Sequence, residues 1–195
     1  QAIRQRSRWD DGGARQLRAH LRAMSTSQSH PLDAALALAS SAPGQYAGQT
    51  SPAYWNMVGP FGGITAATLL QAVLQHPDCL GEPLSLTVNY AGALEAGPFT
   101  LQAVPVRTNR STQHWTLAIS QAGADGQPVV TTTATAVTAT RRDTWSASDQ
   151  PLPPVPAPAQ CPQAEAFFGS EWLRRYEMRL VEGSLPTQWD GSGDS

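Results

Sequence analysis

From Ala34 to Pro77 the chain carries no Asp, Glu, Lys or Arg. A run of that length without a formal charge is expected at the centre of a fold, where unpaired charge is costly. Its last part, from Pro60 to Gln75, has no helix breaker after Gly62 and Gly63. It sets Ile64, Ala67, Leu69 or Leu70, Val73 and Leu74 at helical spacing. Pro60 suits a helix start, and Pro77 marks a point by which the helix has ended. The spacing predicts a core helix over 60–75, about 24 Å long at roughly 1.5 Å per residue, too short and too rich in Thr and Gln for a membrane span.

Four segments of strand character follow. Leu84, Leu86, Val88 and Tyr90 alternate with Ser85, Thr87 and Asn89, and Trp115, Leu117 and Ile119 alternate with His114, Thr116 and Ala118. Phe99 to Arg107 lies between them, and the Val- and Thr-rich run from Pro128 to Thr140 comes after. The connectors 95–98, 108–110 and 124–127 are short and turn-like, which predicts antiparallel hairpins between neighbours. Pro105 predicts a bulge or an edge in its strand. Gln45 to Gln49 and Ala53 to Asn56 add two short candidate strands upstream. The class expected is α+β, an antiparallel sheet curled round one central helix.

On either side of this region the composition changes. Residues 1–29 hold Arg4, Arg6, Arg8, Arg15, Arg18 and Arg22 with no periodic apolar face, and read as a disordered Arg-rich tail. Met24 opens a polar stretch, so residues 1–23 read as upstream sequence; an acidic partner for the arginines is the alternative. After a domain over 30–142, residues 143–168 are a Pro-rich, stiff linker. Over 169–195, alternation resumes through Tyr176, Met178 and Leu180, as if a second unit begins and is incomplete.

The 195 residues carry a formal net charge of -2, with 14% charged residues and a pI near 6.1. That balance gives no drive toward nucleic acid or an anionic membrane, and favours a small or apolar ligand. All thirteen basic residues are Arg, which excludes lysine Schiff-base chemistry. Cys79 and Cys161 lie far apart without a CxxC or a His cluster, so two reduced thiols are expected rather than zinc or a disulfide framework. The Arg-rich start lacks the apolar core of a signal peptide, and a cytoplasmic location is expected. No P-loop, dinucleotide fingerprint or metal-ligand spacing is present, and no cofactor is expected.

Several strings together resemble one family. They are Tyr54-Trp55-Asn56-Met57-Val58-Gly59-Pro60-Phe61-Gly62-Gly63 leading into the helix, Arg107 through Ser111 at a strand turn, and Gln121 before Pro128-Val129-Val130. With the order of elements and the Pro-rich linker, residues 30–182 resemble the acyl-CoA thioesterases of the double hot-dog type. The resemblance implies a hot-dog fold and, in the complete protein, hydrolysis of acyl-CoA to fatty acid and CoA, a role in lipid metabolism. It also implies an acyl chain lying between sheet and helix, with the water-activating residues largely in a second hot-dog unit.

Thioester hydrolysis needs a group that orients or deprotonates water and a group that stabilises the oxyanion. Gly62 and Gly63 offer free backbone N–H groups at a helix N-terminus, with no side chain to hold a carbonyl off. They serve equally to let the helix pack closely. Asn56 resembles the Asn ahead of the Gly-Gly helix in some hot-dog enzymes, where it orients water or the thioester carbonyl; its alternative is a turn or cap residue. Phe61 stands where some of those relatives carry His, and with Tyr54, Trp55 and Trp115 it suits an acyl tunnel or ordinary core. Arg107, Arg110 and Ser111 are candidates for the CoA phosphates, or solvated turn residues. The helix carries Thr65, Thr68 and Gln71 but no carboxylate, so the general base is expected outside it. His20, His30, His76 and His114 form no Ser-His-Asp pattern with a nucleophile elbow.

The rival readings are a non-catalytic acyl-CoA-binding or assembly module, which the carboxylate-free helix favours, and a hot-dog dehydratase or hydratase, which the lack of a His/Asp pair disfavours. An isolated unit leaves a sheet edge uncovered. The partners expected are therefore an acyl-CoA and a second hot-dog unit, in a homo-oligomer or in the same chain.

Overall fold

The computed structural model describes residues 30–145, 147, 153–164 and 170–183. The tail expected over 1–29, parts of the linker and residues 184–195 lie outside the described residues. His30 caps a short helix, α1 (Pro31–Ala35), its Nδ1 accepting from the Leu32 N–H at 3.2 Å. The strands β1 (Ala39–Ala42) and β2 (Gln45–Gln49) form a hairpin whose turn holds Gly44 at φ +73. A 3₁₀ turn, Pro52–Tyr54, leads to the long helix α2 (Gly62–Leu74). Then come β3 (Glu82–Tyr90), β4 (Pro98–Thr108), β5 (Thr112–Ala122) and β6 (Pro128–Ala139).

The six strands make one antiparallel sheet in the order β1-β2-β4-β5-β6-β3. Alternation fixes its inner face. Phe99, Leu101 and Ala103 of β4, Trp115, Leu117 and Ile119 of β5, and Ala134 and Ala136 of β6 are buried against Leu69, Ala72 and Val73 of α2. Leu69, Val73, Leu101 and Ile119 are almost wholly enclosed, each contributing about 1.5–3 kcal/mol of burial. The buried Trp115 ring keeps its polar end satisfied, with Nε1 donating to Thr138 Oγ1 at 3.2 Å.

The structure departs from expectation in four places. Residues 53–56 are not a strand; the segment turns through the 3₁₀ helix and a single bridge, Trp55 to Pro60. The buried stripe of α2 is Ile64, Thr65, Thr68, Leu69, Ala72 and Val73, of which Ile64 packs with Ala35 and Tyr54, while Leu74 is exposed. Thr68 is admitted because its hydroxyl donates back to the Ile64 carbonyl at 2.8 Å, which cancels its polarity inside the helix. β3 and β4 do not form a hairpin: β3 pairs with β6 at one edge of the sheet, and β4 pairs with β2 and β5. The connection 91–97 crosses the end of the sheet, past β6 and β5. Two strands must be bridged, and three strand spacings of about 4.8 Å are within reach of seven residues. Gln121 of β5 fastens this crossing, accepting from the Glu95 N–H at 2.8 Å and donating to the carbonyls of Glu95 and Pro98. Finally, residues 171–175 form a 3₁₀ turn rather than a strand, and among the described residues the alternation through Met178 and Leu180 yields one bridge, Gln163 to Arg179.

Pro105 sits at a register shift in β4, beyond the last residue that β2 pairs, where a missing N–H leaves no ladder bond broken on that side. Among the described residues no helix is long and apolar enough to cross a membrane.

Candidate functional site

The N-terminus of α2 is built by the segment before it. Asn56 and Gly59 close a tight turn, with the Asn56 N–H donating to the Gly59 carbonyl at 2.7 Å, and the Phe61 N–H donates to the Tyr54 carbonyl at 2.8 Å. Phe61 then caps the helix, its carbonyl accepting from Ile64 and Thr65. The N–H groups of Gly62 and Gly63 have no hydrogen-bond partner among the described residues. They stand at the positive end of a helix of 13 residues, where the macrodipole favours an electron-rich oxygen.

Each glycine is also required by its neighbours. A Cβ on Gly63 would overlap the Phe61 ring, which folds back over it. A Cβ on Gly62 would lie 3.0 Å from the Tyr90 hydroxyl, which donates to the Gly62 carbonyl at 2.6 Å. Tyr90 ends β3 with its ring largely exposed, and desolvation of the phenol against the start of α2 raises its pKa above the usual 10.0, so it stays a donor. The close packing expected of these glycines is thus against Phe61 and Tyr90.

Residues from beyond the Pro-rich stretch complete this side. Trp172 stacks flat on Phe61 with centroids 4.0 Å apart, and Tyr176 meets both rings edge-on. The Asn56 Oδ1 accepts from Ser170 Oγ at 3.2 Å and from Trp172 Nε1 at 3.3 Å. Arg175 Nε donates to the Ala53 carbonyl at 3.3 Å. Asn56, Phe61, Gly62 and Gly63 therefore lie together. Tyr90, Ser170, Trp172 and Tyr176 were missed; the aromatic pair within 172–176 is the one signal that could have marked two of them.

Arg107, Arg110 and Ser111 lie elsewhere. Arg107 Nε donates to Asn109 Oδ1 at 3.0 Å in the β4–β5 turn, Arg110 is exposed, and the Ser111 carbonyl accepts from the Thr140 N–H at 3.0 Å. Ser111 borders a groove of about 640 Å³ with Arg141 and Arg142, and Arg141 pairs with Glu82 at 2.6 Å. Thr112 and Glu82 both register on Ala139, whereas Tyr90 registers on Thr132. The groove and the helix N-terminus are thus at opposite ends of β3, roughly 26 Å apart at about 3.3 Å per residue.

The helix–sheet interface leaves little space. A cavity beside α2, lined by Pro60, Ile64, Thr65, Leu94, Phe99 and Ile119, has a volume of about 20 Å³. That is room for about one water molecule and not for an alkyl chain. Tyr54 and Trp115 are buried core, and Trp55 is half-buried. His76, also buried, sits edge-on to Trp115 and accepts from the Asp78 N–H at 3.1 Å. No three His, Cys, Asp or Glu side chains converge as a metal site among the described residues.

A six-stranded antiparallel sheet carrying one long helix across its inner face defines a hot-dog protein. Residues 51–139 match the family model of the acyl-CoA thioesterase N-terminal domain, and the chain has the hot-dog fold of the thioesterase structures it resembles. It is similar to a conserved protein of unknown function with a hot-dog fold from Alicyclobacillus acidocaldarius, with 49% identity and a TM-score of 0.75 over 80% of this chain and 57% of that one. A putative thioesterase II of Thermobifida fusca shares the fold at 20% identity and a TM-score of 0.60, over 69% of this chain and 49% of that one. The acyl-CoA thioesterase II of Mycobacterium marinum does so at 20% identity and a TM-score of 0.55, over 68% of this chain and 47% of that one. The chain thus spans about half the length of these three structures. No curated protein matches it.

Proposed function

We propose that this chain is the N-terminal hot-dog unit of an acyl-CoA thioesterase that splits acyl-CoA into free fatty acid and CoA. The observation that carries the reading is the pair of unpartnered N–H groups at Gly62 and Gly63, within the segment matched by the acyl-CoA thioesterase domain. Water adds to the thioester carbonyl carbon, the oxygen gains charge against these donors, and the C–S bond breaks to release the CoA thiol. A base outside α2 takes the water's proton, since Thr65, Thr68 and Gln71 cannot do so near neutral pH.

The site is completed by a second hot-dog unit. β3 is an outermost strand whose outer backbone edge is uncovered along nine residues, with Leu84 and Tyr90 exposed beside it. A second unit pairing antiparallel along β3 reverses the order of its ends. It sets the groove that Ser111, Arg141 and Arg142 line in one unit beside the Gly62 end of the other, where guanidinium groups can hold the CoA phosphates. The domain division at 143–168, with the start of a second hot-dog unit after it, belongs to the same proposal.

One observation favours a second reading, a non-catalytic acyl-CoA-binding module: both donors that reach Asn56 occupy its oxygen, which then cannot hold water. Thiol release from short, medium and long acyl-CoAs by the purified chain separates the two. Turnover that falls when Gly62 is changed to Pro, which removes one N–H, supports hydrolysis. Binding without turnover, from folded protein, selects the module.

A further inference from the structure

The orientation of the Asn56 carboxamide is fixed by chemistry. An indole N–H only donates, so the atom facing Trp172 Nε1 at 3.3 Å is the amide oxygen, and Ser170 Oγ at 3.2 Å takes its other lone pair. Nδ2 has no hydrogen-bond partner among the described residues. Trp172 is itself held, by its stack on Phe61 and by its backbone N–H donating to the Trp55 carbonyl at 3.3 Å. Ser170 is 7% exposed, so water competes poorly for this contact.

We propose that Ser170 and Trp172, from beyond the Pro-rich linker, are positioning residues for Asn56. They occupy its oxygen and so present Nδ2–H₂ to a ligand at the N-terminal end of α2. Resting on the function proposed above, this makes Asn56 a third donor beside the Gly62 and Gly63 N–H groups, directed at the thioester carbonyl oxygen, and not an acceptor for water. Donors of one sign at one helix end suit an oxygen that gains negative charge.

The test uses the ¹⁵N-labelled chain. The Asn56 side-chain amide resonances are assigned by their loss in Asn56→Asp, which keeps an oxygen for Ser170 and Trp172 but removes the donor. Trp172→Phe with Ser170→Ala retains a ring to stack on Phe61 and removes both contacts. Adding acetyl-CoA to the wild type is expected to shift the Asn56 amide pair. In the double variant the pair is expected to move in the free protein, to lose that shift, and kcat to fall about 10-fold or more with KM nearly unchanged. Asn56→Asp is expected to lose kcat while thermal stability holds. Unchanged kcat in Asn56→Asp, or amide resonances left in place by the double variant, overturns the proposal. A wild type that neither binds nor hydrolyses acyl-CoA removes the function proposed above; the positioning claim is then judged on the free-protein resonances alone, moved in support or unmoved against.

Discussion

Replacing Gln113 by Met removes three hydrogen bonds from a side chain that is 1% exposed, while keeping most of its length and volume. Gln113 accepts from the Leu80 N–H at 2.8 Å and donates to the Asp78 carbonyl at 3.1 Å and to Thr108 Oγ1 at 2.8 Å, fastening the α2–β3 loop to the β4–β5 hairpin. Gln121 makes a matching set of three bonds, to the Glu95 N–H, the Glu95 carbonyl and the Pro98 carbonyl, in contact with solvent. The chemistry is shared and the surroundings differ. At 113, water cannot follow into the interior, and orphaned groups cost about 1–3 kcal/mol each. Asp78 and Thr108 are exposed and recover water while the half-buried Leu80 N–H is orphaned, so about 1–3 kcal/mol for the orphan adds to about 1 kcal/mol for the bonds that rehydrate, a net loss of about 2–4 kcal/mol. At 121 all three groups rehydrate, and the loss is about 1 kcal/mol. For a chain of this size the midpoint falls by about 2–4 °C per kcal/mol, so Gln113→Met is expected to lower Tm by about 4–16 °C and Gln121→Met by about 2–4 °C. Thermal and urea unfolding followed by circular dichroism measure both. Equal losses, or a larger one at 121, would refute the argument that burial sets the cost.

Backbone and ionisation make two further predictions. Gly44→Ala combines φ +73 with a Cβ that overlaps the Ala103 carbonyl oxygen, and is expected to cost about 2 kcal/mol or more. Gly126→Ala, at φ +77 with nothing within 4 Å, is expected to cost only about 1 kcal/mol; equal unfolding midpoints would remove the steric argument. Burial raises the pKa of Cys79 above 9.0 and those of Tyr46, Tyr54 and Tyr90 above 10.0. The unfolded chain loses these protons first, so stability is full below about pH 9 and declines as pH rises past 9 and then 10. Urea midpoints at pH 8, 9.5 and 11 test the sign, and a midpoint that rises with pH contradicts it.

What could be read from the sequence is what period and punctuation encode. The charge-free run ending in a 3.6-residue period gave α2 to within two residues, and alternation gave the long strands, because side-chain direction repeats locally. Strand order was not legible. The 91–97 connection looks like a hairpin loop by length and composition, and only Gln121 and the burial of β4 beside β2 send it across the sheet. β3 shows the same limit: Leu84, Leu86, Val88 and Tyr90 alternate like a core strand, yet Leu84 and Tyr90 are exposed because β3 is an edge. At the candidate site, Gly62 and Gly63 were visible as a helix start, whereas Tyr90 and Trp172 arrive 28 and 110 residues later and leave no local signal.

The Pro-rich stretch is a boundary in composition that does not bound the site. Its described residues bond to the chain that follows, the Cys161 and Pro162 carbonyls accepting from Arg179 and Leu180 and the Ala164 N–H donating to the Met178 carbonyl. Here the residues after the linker touch the segment that starts α2. Trp172 covers Phe61, Ser170 and Trp172 fill the Asn56 oxygen, and Arg175 meets the Ala53 carbonyl. Phe61 in turn folds over Gly63, so the ring that Trp172 holds is the one that keeps position 63 free of a side chain. The donor array at the helix end is therefore finished by chain from the far side of the linker, and a cut made where the composition changes would divide the site.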